Sequence, residues 1–445
     1  MYLKNKFQSS SSEDTSEQLF LGRQWKSMVL FEKLAIILIA LSPTFYLAVN
    51  HWITNLSILA VLVVAYHLFQ VRRKFKWMQI PYIRAIALVF IIYTAAIMIS
   101  QLGRFAFTYK PYLDQGRWLI GLPIFVFLYY ARINFTKILD WIAPICIFAA
   151  YVSSVYLNPS DAWGDRATVS HIDPLAFGFM NLSLGLMCLA SVAVDVYKKN
   201  YSINTLVKFL AFVLGVYLSI RSGSRSGWAA LPVVVILIFY ILYRPKLWRG
   251  VIFSLFAAAA VIALYQLNNI VKTRVDSLLL ELLQYPWLGG VAQDTSVGLR
   301  VTFYRLGYYY FSHSPLFGWG ERGYGEIKDA AELLNFSTQY ARDFAFSALF
   351  HSEWVTQSVR FGIFGLLGVF WVFLLPIRLF AKFIKSGSDF LKVSCMGLAY
   401  MICQLAASLG DEVFNSKGII SFSAIIIAGL LATGLSLMGR ETEGN

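Results

Sequence analysis

Apolar stretches of about 20 residues, nearly free of charge, recur along this chain, and each is long enough to cross a bilayer as a helix. They fall near 31–49, 53–70, 82–101, 117–131, 138–157, 173–195, 205–220, 228–243, 250–267, 355–376, 389–408 and 419–438, which predicts twelve spans with both termini on one side. Only 14% of the residues are charged, 58% are hydrophobic and the mean hydropathy is +0.62; soluble proteins carry about 25% charged residues. Alternating apolar and polar strands of about ten residues, the mark of a membrane barrel, are absent. The expected fold is an all-α polytopic membrane protein. Residues 1–27 are polar and serine-rich, a tail rather than a cleavable signal, so the first span would serve as an uncleaved anchor. Cys146, Cys188, Cys395 and Cys403 all lie inside apolar runs and read as small buried hydrophobes, not as disulfides or metal ligands.

The basic residues orient the chain. Arg72, Arg73, Lys74 and Lys76, Arg132 and Lys137, Lys198 and Lys199, Arg244, Lys246 and Arg249, and Arg378, Lys382 and Lys385 occupy alternate connectors, with Arg440 beyond the last span. The positive-inside rule makes these connectors and both tails (1–27 and 439–445) cytoplasmic. The formal charge of +14 is thus mainly a basic rim beside anionic membrane lipids, and it gives no support for nucleic-acid binding. The connectors at 102–116, 158–172, 221–227, 268–354 and 409–418 face outward.

The outer segment 268–354 divides the first nine spans (28–267) from the last three (355–438). It reads as a helical cap, with helices at 300–312 and 326–344 and breaks at 285–290 and 314–325. Its Trp287, Trp319 and the run Tyr308-Tyr309-Tyr310-Phe311 suit an interfacial aromatic belt. From 268 to 356 it holds seven Lys and Arg against nine Asp and Glu. Particular arginines, not bulk charge, would therefore have to attract an anion.

In Arg221-Ser222-Gly223-Ser224-Arg225-Ser226-Gly227, two guanidiniums flank small residues in a tight turn. Planar guanidinium forks and exposed backbone N–H groups suit a phosphate; the plainer alternative is a turn with snorkelling arginines. Arg300 and Arg305, five apart on a helix, point about 140° away from each other, so only one would face a common site, and Arg300 is the stronger candidate. Arg166 is a further candidate ligand contact. His351 stands just before the glycine-rich span containing Gly362, Gly365 and Gly368, and its ordinary pKa near 6.5 would let it accept a proton; a hydrogen-bonded interfacial histidine is the plainer reading. His313, before Ser314-Pro315, reads as part of a turn with a lesser prospect of binding substrate. Walker, HExxH, GxSxG and DxD motifs are missing, and Asp294, Asp343, Asp411 and Glu412 lack metal-ligand spacing. No metal or cofactor is expected, so arginines would take a metal's place at a diphosphate.

Arg300 with its aromatic helix, Ser314-Pro315-Leu316-Phe317-Gly318-Trp319-Gly320, His351 leading to Phe361-Gly362-Ile363-Phe364-Gly365-Leu366-Leu367-Gly368, and the turn Gly223-Ser224-Arg225-Ser226-Gly227 together resemble the O-antigen ligase and polymerase family of bacterial membrane glycosyltransferases. The likeness covers topology throughout and sequence mainly from Ser222 to Gly368, and within the family the ligases are the nearer match. It implies a GT-C-type fold in the inner membrane with a periplasmic site, a donor O-antigen on undecaprenyl diphosphate, and a lipid A–core sugar as acceptor. By the same resemblance His351 takes the catalytic position and Arg225 and Arg300 the diphosphate-binding positions; the reading of the residues themselves adds Arg221 and Arg305 as helpers at the diphosphate, and Arg166 and His313 as candidate substrate contacts. Ser352 stands where the family often has Asn. A monomer is expected. The alternatives that share the donor are an O-antigen polymerase and a protein O-oligosaccharyltransferase; one compact outer cap favours the ligase. The alternative from another class, a transporter or flippase, would place ionisable groups at span centres or show repeats, and the sequence shows neither.

Overall fold

The computed structural model describes residues 25, 28–71, 80–157, 166, 168–243, 255, 259, 262–263, 265–267, 269–287 and 290–443. The described residues form helices with no named strand, and a lone bridge pairs Val169 with Ile172. In chain order the main helices are α1 Leu30–Thr44, α2 Trp52–Val71, α3 Ile83–Arg104, α4 Gly121–Tyr130, α5 Phe135–Val152, α6 Pro174–Tyr197, α7 Ile203–Arg221, α8 Ala230–Tyr243, α9 Asn269–Gln284, α10 Ser296–His313, α11 Gln339–Ala348, α12 Glu353–Phe383, α13 Leu391–Ser408 and α14 Lys417–Glu443. Eight of the described helices are long and apolar enough to cross a membrane: α2, α3, α5, α6, α7, α12, α13 and α14. The expected spans at 31–49, 117–131 and 228–243 appear as the shorter helices α1, α4 and α8. The expected span at 250–267 lies largely outside the described residues, as does the tail at 1–27.

Burial sorts these helices into centre and rim. The apolar window of α14 is wholly buried and most of α6 and α13 is buried, whereas only 28% of α2 is. A helix apolar on all sides belongs either in a core or against lipid, and the two groups divide along that line. Small residues let helices approach where the packing is closest. Gly215 of α7 lies against α6 so tightly that a Cβ would sit 2.7 Å from the Asn181 carbonyl, the close-backbone contact expected of membrane helices.

The outer segment has its own core. Phe303, Leu306, Tyr310, Tyr324, Leu333, Ala341, Ala345 and Phe350 pack onto Val355 and Val359 in the first turns of α12. Two expectations need correction here. The helix expected over 326–344 is split into Ala331–Leu334 and α11, because Thr338 caps a new start by accepting from the Ala341 N–H at 3.0 Å. Tyr310 is fully buried and so takes no part in the expected interfacial belt; Trp319 is half-buried and donates through Nε1 to the Tyr310 carbonyl, while Tyr308 and Trp287 are exposed.

The motif Ser314–Gly320 closes a break in α12. Gly362 has φ +64, which interrupts the helix and leaves nearby carbonyls without helical partners. The Trp319 N–H donates to the Val359 carbonyl at 2.9 Å and the Gly320 N–H to that of Arg360 at 2.8 Å, while the Ile363 N–H donates back to Pro315. A Cβ on Gly318 (φ +64) would lie 2.5 Å from the Arg360 carbonyl carbon, and one on Gly362 2.3 Å from the Leu316 oxygen. Both positions need glycine for conformation and for space.

Candidate active site

Four segments meet beside the start of α10: the turn after α7, the first turn of α10, the strained link before α12, and the connector between α13 and α14. Thr295 caps α10 by accepting from the Gly298 N–H, and the Glu281 carboxylate of α9 accepts from the Val297 N–H. This fixes Ser296 and Arg300 one turn apart. Arg225, arriving from the turn after α7, donates through Nη2 to Ser296 Oγ at 3.1 Å, and Arg300 donates to the same oxygen through Nη1 at 3.2 Å. Two guanidiniums distant in sequence thus converge on one hydroxyl.

The arginine turn is held from several sides. Gly223 has φ +68, Ser222 Oγ donates to the Ser219 carbonyl, and Arg166 donates through Nε to the Ser222 carbonyl at 2.8 Å. The Ser224 and Ser226 hydroxyls are buried and make no hydrogen bond among the described residues. Buried hydroxyls without partners are uncommon and suit a polar ligand between the arginines. Ser226 and Arg300 both lie against Gly410, the residue before Asp411.

His351 sits opposite this cluster, with φ +47 in the left-handed region. Strain of this kind gathers at functional sites. Its half-buried ring packs between Phe303 and Phe344, centroids 6.0 and 5.3 Å away. Nδ1 lies 3.7 Å from Asp411 Oδ1 and 3.9 Å from Glu412 Oε2, ion-pair contacts too long for hydrogen bonds. Burial pushes the imidazole pKa down, but Asp411 and Glu412 outweigh it and Arg300 opposes them weakly, so the ring titrates above its ordinary value. Burial, and Asp411 next to it, push Glu412 up to about 7, partly offset by His351 and by the Thr356 hydroxyl, which donates to Oε1 at 2.8 Å. Burial also raises Asp173, the N-cap of α6, whose charge is felt by Asp411, Arg166 and His351.

Of the residues singled out from sequence, Arg225, Arg300, Arg166 and His351 are drawn into one region, with Arg221 ending α7 at its edge. Arg305 points elsewhere: its guanidinium lies 4.2 Å from the Phe336 ring centre and reaches Tyr285. His313 is at the far end of α10, about 20 Å along the axis from Arg300, where Nδ1 meets the carbonyl of Tyr309 and the ring lies tilted against that residue's ring, centroids 4.3 Å apart. Asp411 and Glu412, set aside on sequence spacing, lie beside His351; the ligand atoms of the three are within 4.8 Å of one another and form a group that can hold a metal ion. The guanidinium of Arg300 nearby opposes a cation there. Ser296 and Asp173 also went unremarked in the sequence. The available signal was an acidic pair in a short outer connector.

An arginine cluster is thus set against an imidazole and two carboxylates on a bundle of apolar helices, an arrangement that suits an anionic ligand. Residues 210–370, from α7 into α12, match the family described as O-Antigen ligase. The matched region contains Arg225, Arg300 and His351 but stops before Asp411 and Glu412. A Haemophilus influenzae protein described as uncharacterized is 26% identical over 258 residues, which is 57% of this chain and 63% of that relative's length.

Proposed function

We propose that this chain is an O-antigen ligase that moves a glycan from undecaprenyl diphosphate to a lipid A–core hydroxyl on the periplasmic face of the inner membrane. The supporting observation is the convergence of Arg225 and Arg300 on Ser296 Oγ, beside the His351, Asp411 and Glu412 cluster. In this reading the twelve-span, GT-C-type arrangement holds, with both termini cytoplasmic and the cap periplasmic.

The chemistry is a single displacement with inversion. With Nδ1 turned to the carboxylates, the N–H of the imidazole sits there and Nε2 offers its lone pair. Nε2 takes the proton from the acceptor hydroxyl as that oxygen bonds to the anomeric carbon. The bond from that carbon to the diphosphate breaks, and the diphosphate leaves with the electron pair. Arg225 and Arg300 stabilise the growing charge, while Asp411 and Glu412 stabilise the imidazolium. No step requires a metal.

The test supplies purified full-length protein with a lipid-diphosphate glycan and, separately, lipid A–core, a second lipid-linked repeat, or an acceptor protein, each in EDTA. Transfer to lipid A–core is expected. Transfer only to the second repeat makes the chain a polymerase, and transfer only to protein makes it a protein O-oligosaccharyltransferase. Activity lost in EDTA and restored by a divalent cation overturns the metal-free mechanism and assigns the cation to His351, Asp411 and Glu412.

A further inference from the structure

Glu353 lies two residues beyond His351, yet faces away from the arginines and into the protein, where it is fully buried. A buried carboxylate must be matched by hydrogen-bond donors or it opposes folding. Here it has three. Oε1 accepts from the Tyr93 hydroxyl of α3 at 2.5 Å and from Gln357 Nε2 at 2.9 Å, and Oε2 accepts from the Phe414 backbone N–H at 2.9 Å. The Glu353 N–H in turn donates to the Asp411 carbonyl at 3.1 Å. One residue therefore grips the connector that carries Asp411 and Glu412 at both of its sides, Asp411 and Phe414, and ties it to α3 and to the start of α12.

The adjacent bonds share this direction. The Ser352 N–H and the Thr356 hydroxyl both donate to Glu412 Oε1, at 3.3 and 2.8 Å, which turns Oε2 toward His351. The carboxylates thus face the imidazole because of bonds made by the first turn of α12. Their separation from Nδ1, 3.7 and 3.9 Å, leaves little room for a shift before the pairing is lost.

We infer that Glu353, braced by Tyr93, is a positioning residue that sets the Asp411–Glu412 connector against His351 and so fixes the orientation of the imidazole during transfer. This role rests on the proposed glycan transfer. Glu353 touches neither His351 nor the arginines in the contacts described. Misplacement of a catalytic group by about 1 Å can cost up to 10²-fold in rate, so a slackened connector should lower turnover while leaving the diphosphate site intact.

The experiment compares wild type, E353Q, E353D and Y93F, purified at full length, in transfer from the undecaprenyl-diphosphate glycan to lipid A–core. E353Q keeps the volume but cannot accept all three donors. It is expected to lower kcat by about tenfold to 10²-fold with donor KM changed less than about twofold. E353D should restore part of kcat. Should E353Q fail to fold, Y93F, which loses a single hydroxyl, carries the test through a smaller fall in kcat at unchanged donor KM. Wild-type kcat in both E353Q and Y93F would overturn the positioning role alone, as would a loss confined to donor KM. A wild-type protein that transfers no glycan to any acceptor would instead overturn the functional reading, and this role with it.

Discussion

Four charged side chains are buried together at the ends of the helices remote from His351, and replacing one of them should damage the protein more than replacing two. Lys208 of α7 meets Asp195 of α6, Asp140 of α5 at 3.4 Å, and Ser191 Oγ at 2.8 Å. Lys392 of α13 pairs with Asp140 at 2.6 Å and with Asp195 at 3.1 Å. The group is neutral, two lysines against two aspartates, and joins four helices. Lys208→Met keeps the length and apolar stem of the side chain but leaves two carboxylates facing one ammonium. At 3.4 Å and an effective dielectric of about 20, each lost attraction is worth about 5 kcal/mol before desolvation is counted. Freeing the ammonium from burial offsets part of that. Single breaks of buried pairs cost about 3–5 kcal/mol, and the same range is expected here. Lys208→Met with Asp195→Asn restores neutrality, leaving Lys392 with Asp140, and should recover most of the loss. Equilibrium unfolding in mixed micelles measures all three proteins. The reasoning fails if Lys208→Met unfolds like wild type, or if the double variant is no more stable than the single. Lys392 and Ser408 are the two ends of the same zone of α13, about 24 Å apart along the axis. The folded double variant should therefore transfer glycan at close to the wild-type rate. A transport pathway would need these charges to exchange partners; a staple needs them fixed.

Other outcomes follow from the site and its supports. His351→Asn should retain the fold, because Asn tolerates the left-handed conformation that His351 adopts at φ +47, while transfer falls by about 10²–10⁴-fold with the loss of the base; a variant transferring at the wild-type rate removes His351 from the mechanism. Gly362→Ala places a methyl 2.3 Å from the Leu316 oxygen at φ +64, so reduced thermal stability and loss of folded protein are expected on size-exclusion chromatography, where a wild-type profile would contradict the packing described. Stability should fall as pH rises. Glu412 binds its proton more tightly folded than unfolded, so its contribution is complete below about pH 4.5 and lost as pH climbs through about 7, and His351, also raised, acts in the same sense from 6.5 upward. Unfolding of Glu412→Gln should change less between about pH 5 and pH 8 than that of wild type, and an equal slope would refute the assignment.

How far this molecule can be read from its sequence depends on the range of the interaction concerned. Length and hydropathy are local, and they suffice for α2, α3, α5, α6, α7, α12, α13 and α14, since a helix closes most of its backbone hydrogen bonds within itself, the break at Gly362 of α12 being the exception. The opposed faces of Arg300 and Arg305 are also a local matter of helical geometry, and Arg305 does turn away to Phe336. Thr338 shows where local reading gives out: one hydroxyl, placed to accept from Ala341, starts a new helix inside a stretch whose composition favours a single one. The motif around Gly318 was visible as a pattern, but its purpose was not. That glycine is needed because Gly362 breaks α12 against it, and neither residue explains itself without the other.

The site carries the same argument further. Arg225, Arg300 and His351 stand out as cationic or titratable side chains in the segments between apolar runs. Asp411 and Glu412 form an acidic pair in a short connector, where acidic residues are ordinary, so the pair alone is a weak signal. Their meaning comes from the turn of α12 that grips them: Glu353 holds the backbone at Asp411 and Phe414, and Ser352 and Thr356 hold Glu412. On the proposed function, a carboxylate held that firmly toward a strained histidine, with the nearest guanidinium already sharing Ser296 with a second, would divide the site into a face for a leaving anion and a face for an incoming alcohol. That division relates residues from four separate helix ends, and it arises only when the helices have packed.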